Sequence, residues 1–165
     1  MKTQKLIVMA AIFCLLVGAS GAAMAENTCE GGWITGTVEE DVILRGQSQG
    51  CTIDNATVNG NVIATGGADV TIQVSNVNGR IRIVDATTAV IFGTTAQNVR
   101  IARNTVAVLL SNIVQENIVV NRNDIARVNK NLAVQSLSCR GNDDLKASGN
   151  SVGPFGSENC NLIGN

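Results

Sequence analysis

The sequence predicts an all-β chain wound as a parallel β-helix, with one coil for about every nineteen residues. Three observations carry this expectation. Apolar residues recur with a period near nineteen, short runs inside each unit alternate with period two, and the cysteines are spaced by about one coil. A coil of this kind cannot bury its own apolar face, and stacking at a rise of ~4.8 Å gives it a continuous core.

The chain starts with a leader. Lys2 and Lys5 precede the apolar run Leu6 to Val17, which is too short for a membrane span. Ala23-Met24-Ala25 matches the small-x-small cleavage pattern, so residues 1–25 read as a signal peptide, with Cys14 inside it. Residues 26–165 then form one domain of an exported protein, periplasmic or extracellular at the cell surface, with no transmembrane segment in the mature chain. Within it, 26–50 is expected to be an N-terminal cap, 51–138 the coils and 139–165 a C-terminal cap. Without the two leader lysines the mature chain has 10 basic and 13 acidic residues, which argues against a nucleic-acid partner. It has 19 Asn, no His or Tyr, and three aromatics: Trp33, Phe92 and Phe155. Its core must therefore be filled by aliphatics.

The repeat is read from three anchors per coil. Ile53, Val58 and Val62 are followed by Ile72, Val77 and Ile81, then by Ile91, Ala96 and, after one deletion, Val99. Val108, Ile113 and Ile118 make the next set, and Leu132 and Leu137 close the series. The middle anchor runs 58, 77, 96, 113, 132, with one short step of 17. Within units, Ile81-Arg82-Ile83, Val99-Arg100-Ile101, Val106-Ala107-Val108 and Leu132-Ala133-Val134 read as strands with the outer two residues inward. Asn76, Asn112 and Asn131 precede the middle anchor, with Thr57 and Thr95 in other coils, and suggest an internal Asn ladder. A competing reading takes Asn59-Gly60 and Asn78-Gly79 as hairpin turns of an antiparallel sandwich. The later units keep the period without any Asn-Gly, which favours the β-helix.

The cysteines follow the same spacing. Cys29 to Cys51 is 22 residues and Cys139 to Cys160 is 21, each near one coil. Equivalent positions one coil apart lie within disulfide reach, so the pairs Cys29–Cys51 and Cys139–Cys160 are expected, one at each end. Any other pairing would join opposite ends of a rod. The Trp33 segment and the Gly-rich Gly141 to Gly164 segment are the expected caps over frayed strand edges.

These residues resemble right-handed parallel β-helix proteins of the pectin-lyase-like class. The ending Leu137-Ser138-Cys139-x-x-Asn142, then Asn150-x-Val152-Gly153 and Cys160, is similar to the C-terminal cap of small exported bacterial β-helix proteins without assigned activity. The resemblance implies a right-handed solenoid. Large enzymes of the class act on polysaccharides, so a lyase or hydrolase is the alternative expectation that it brings.

No catalytic residues, metal ligands or cofactor emerge from the residues themselves. Hydrolysis calls for two converging carboxylates. Only Asp69 and Asp85 come near a stacking interval, and Asp143-Asp144 is a loop pair with the residue types for a cation. Binding has a more concrete signal. Arg82 and Arg100 occupy the same coil position between inward apolar residues, and Arg80 and Arg103 flank them. Outward guanidinium groups in register suit the carboxylates or phosphates of an anionic polysaccharide or surface partner. Acidic residues dominate from Glu26 to Asp69 and basic ones from Arg80 to Arg140, so end-to-end self-association is a further expectation. The sequence thus points to a non-catalytic surface, structural or adhesion-like protein.

Overall fold

The computed structural model describes residues 27–29, 31–46 and 50–160; the expected leader lies outside the described residues. The described chain is a parallel β-solenoid of right-handed type with coils of about nineteen residues. Every strand pairing is parallel. Each coil contributes to three faces. The first face stacks Asp69–Gln73, Thr88–Phe92, Val106–Leu110, Ile125–Asn129 and Asp144–Ser148. The second, shortest face includes Ile113–Val114, Leu132–Ala133 and Ser151–Val152. The third includes Val42–Arg45, Val62–Thr65, Asn117–Asn121 and Ser136–Arg140. Longer strands, such as Cys51–Val58, Asn76–Val84 and Thr95–Ala102, bend from one face into the next. In-register pairing runs past the 51–138 boundaries, because Gly32–Val38 pairs with Cys51–Val58 and Asp144–Ser148 with Ile125–Asn129.

The core consists of stacked aliphatic columns. Ile53, Ile72, Ile91, Leu109, Val128 and Ala147 form one, and Val58, Val77, Ala96, Val114 and Ala133 another. The sequence reading slipped by one residue here. Val108, Ile113 and Leu132 are not core anchors: Ile113 is 50 % and Leu132 38 % exposed, while Leu109, Val114 and Ala133 are fully buried. The true middle column runs 58, 77, 96, 114, 133, with steps of 19, 19, 18 and 19. The single missing residue sits at the corner before Val99, where the pairing shifts between Val77 and Arg80. The alternation of Val106-Ala107-Val108 and Leu132-Ala133-Val134 is likewise inverted, with the alanine inward. Larger residues outside and smaller ones inside defeat an assignment made by size.

The same slip moves the Asn ladder. Asn76 is exposed and donates to Asn78 Oδ1 at 3.0 Å. The buried column is Ser75, Thr94, Asn112, Asn131 and Asn150. A second run, buried Asn104 and Asn123 with half-buried Asn142, stacks on another corner, with Nδ2 to Oδ1 distances of 2.9 and 2.8 Å. Each column follows a corner held at positive φ: Val74, Ser111 and Lys130 before one, Asp85, Arg103 and Arg122 before the other. A left-handed corner residue turns the next side chain inward, where short amides and hydroxyls bond backbone groups of the neighbouring coils.

Both expected disulfides are present, Cys29–Cys51 and Cys139–Cys160, with Cα separations of 5.9 and 5.0 Å. They close the first and last described coils. The Asn-Gly pairs are not hairpin turns. Gly79 lies inside Asn76–Val84 and stacks on Gly60, so close that a Cβ there would meet the Gly60 carbonyl oxygen at 2.6 Å. Among the described residues no helix is long and apolar enough to cross a membrane.

Candidate functional site

The third face carries the arginines because its alternate positions point outward. Arg82 is the direct ladder partner of Arg100, so their side chains leave adjacent coils in register. Arg80 opposes Asn98 two residues earlier on the same face, and its backbone N–H donates to Asn61 Oδ1 at 2.9 Å. Arg103 lies at the left-handed corner that ends this face, at φ 56°.

The four arginines differ in what they touch. Arg103 is held by Asp85, one coil earlier at the same corner. Its Nε and an Nη donate to the two carboxylate oxygens at 2.7 and 2.8 Å. This bidentate bond holds the Asp85 carboxyl below its ordinary range, and Arg82 adds a weaker pull in the same direction. Arg80, Arg82 and Arg100 have no ion pair among the described residues.

Two further arginines join them that the sequence reading did not select. Arg140 is the partner of Asn121, which itself pairs with Ala102, so Arg140 projects two coils above Ala102. Arg122 occupies the corner directly above Arg103, at φ 54°. The spacing of 19 between Arg103 and Arg122 was the available signal. Arg80, Arg82, Arg100, Arg122 and Arg140 together make a diagonal stripe over four coils. At ~4.8 Å per coil and ~3.3 Å per residue along the strands, the stripe is on the order of 20 Å long. Two shallow depressions lie along it. One, of about 440 Å³, lies between Arg100, Arg103, Asn121, Arg122 and Arg140. The other, of about 460 Å³, includes Arg80, Arg82, Arg100 and Asn117. They share Arg100 and form one continuous track.

The acids are placed elsewhere or are already engaged. Glu116 lines the second depression with Arg80, Arg82 and Arg100, and accepts from Asn98 Nδ2 at 2.6 Å. Asp69 pairs in the ladder with Thr88 on the first face and does not stack with Asp85. Asp144 is bound by Arg127 at 2.5 Å, which lowers its carboxyl pKa and occupies one half of the Asp143-Asp144 pair. Early acids bond to asparagines: Glu39 accepts from Asn59 and Asp41 from Asn61, at 2.7 and 3.0 Å. The arrangement suits multivalent recognition of anions on a rigid surface. Trp33 sits within Gly32–Val38, paired with Thr52, and is 69 % exposed. No protein-family model, curated protein or solved structure matches this chain.

Proposed function

We propose that this is an exported, non-catalytic β-helix protein of the pectin-lyase-like class that associates with a surface by binding an anionic polymer along the arginine stripe. One observation carries the reading: five guanidinium groups on one rigid side of the rod, none with an acid partner among the described residues. Unpaired cations in register repel one another, and a repeating anion offsets that repulsion. The two disulfides are compatible with an oxidising, extracytoplasmic compartment. The lyase or hydrolase alternative has less support, because the acids nearest the stripe, Asp85 and Glu116, are tied to Arg103 and Asn98.

Retention of the mature protein on an immobilised polyuronate or sulfated polysaccharide tests this reading. Arg82→Gln with Arg100→Gln should elute at clearly lower salt, and adding Arg122→Gln and Arg140→Gln should abolish retention. Elution of the quadruple variant at the wild-type salt concentration would refute the proposal.

A further inference from the structure

A second surface, on the first face, has a different chemistry. Trp33 is the chain's only tryptophan and stands on the outward side of its strand, while its neighbour Ile34 packs on the core. Directly above it in the ladder are Thr52 and then Thr71, also outward. Beside this column runs a second outward column, where Asp54 pairs with Gln73. Asp69 flanks the other side, next to Gly50, whose lack of a side chain leaves a gap. The side chains of Thr52, Asp54, Asp69, Thr71 and Gln73 make no hydrogen bond or ion pair within the described structure. The patch is therefore one large exposed ring edged by hydroxyl, carboxylate and amide groups, on a grid of ~4.8 Å between coils and ~6.6 Å between outward positions of a strand.

We infer that this patch binds a neutral glycan: the indole of Trp33 stacks on the apolar face of a pyranose ring, and Asp54, Gln73 and the threonines take its hydroxyls. An indole left in water exposes a large apolar area, and a sugar ring covers it without displacing the polar rim. Carboxylates accept hydroxyl hydrogen bonds and repel polyanions, so an anionic glycan is disfavoured at this patch. The sugar lies across the coils, where hydroxyls spaced along a pyranose meet donors and acceptors that the ladder holds fixed. The rod then carries an anion-binding side and a neutral-sugar side on different faces. Neither depends on the other.

Trp33 reports its own site. Its fluorescence, in the mature protein, is titrated with cellohexaose, maltohexaose, xylohexaose and the hexamer of N-acetylglucosamine. At least one should give a saturable shift that persists at high salt and in the Arg82→Gln, Arg100→Gln variant. Asp54→Ala should weaken that response about tenfold, the loss of one charge-assisted hydrogen bond. Calorimetry with the same sugar should lose its heat in Trp33→Ala and keep part of it in Trp33→Phe. No saturable change with any of the four sugars at millimolar concentration would overturn the inference. So would calorimetric binding that survives Trp33→Ala. A fluorescence change that follows protein concentration and not sugar would place Trp33 between two copies of the chain, and would also overturn it.

Discussion

Asn112 donates its side-chain amide to Oδ1 of Asn131 at 2.9 Å, and the same oxygen accepts the Asn112 backbone N–H at 3.1 Å. Asn131 repeats both bonds to Asn150, at 3.1 and 3.0 Å, while its Nδ2 also reaches the Leu109 carbonyl at 3.0 Å. Every polar valence of this fully buried amide is used, and each coil passes the pattern to the next.

Asn131→Ala should therefore destabilise the fold by about 3 kcal/mol, since it orphans buried groups on two coils. Asn76→Ala, at the exposed position the sequence suggested for the same ladder, should change stability by less than about 0.5 kcal/mol. Denaturant midpoints of the two variants check the contrast. Equal losses would contradict the register described above.

The corners make opposite demands on glycine. Gly79 is in extended backbone but abuts Gly60, so Gly79→Ala must push the corner apart and should cost about 2 kcal/mol. Val74 is β-branched at φ 47° and exposed. Val74→Gly relieves that strain and should raise stability by about 1 kcal/mol, despite the greater freedom of glycine in the unfolded chain. Thermal melts of both variants give the two signs.

Glu158 pairs with Leu137 and so stands at the end of the core column that runs through Ile81, Val99 and Ile118. Its Oε1 is buried without a hydrogen-bond partner, and desolvation raises its pKa above the ordinary 4.5. The folded chain thus holds this proton to higher pH than the unfolded chain. Stability of the last coil should fall as pH rises from about 4.5 through the raised value, and return on acidification. Asp85 and Asp144 act in a lower window: their pKa values are depressed by Arg103 and Arg127, and their contribution is lost only below the ordinary 3.8. Glu158→Gln should remove the upper dependence alone. Amide exchange of Ser136–Arg140 followed from pH 4.5 to 7 would show it.

Asp85 neutralises the guanidinium of Arg103 at the corner that ends the arginine side. Asp85→Asn keeps a residue that tolerates the φ of 57° and removes the charge. It should release Arg103 and move elution from an anionic polysaccharide to higher salt. Elution at unchanged salt would mean that Arg103 contributes nothing to the stripe.

Coil length, parallel stacking and both disulfides were legible in the chain, because each depends on spacing alone. Cys29 to Cys51 and Cys139 to Cys160 are one coil apart whatever face they lie on. The phase of the first and second faces in the later coils was not legible. Ile113 and Leu132 look like core residues, and Ala133 does not, yet Ala133 is the one buried. Arg82 and Arg100 could be matched because Ile81, Ile83, Val99 and Ile101 bracket them on strands whose phase was correct. Arg140 could not, since its place in the stripe depends on pairing through Asn121 to Ala102.

The sequence by itself determined that this protein is a stack of short parallel strands with stapled ends, because period, alternation and cysteine spacing are one-dimensional quantities. Only the tertiary structure decided which guanidinium groups are free, which asparagines are buried and where Trp33 faces. Those depend on one residue of register at a corner and on contacts between side chains nineteen residues apart.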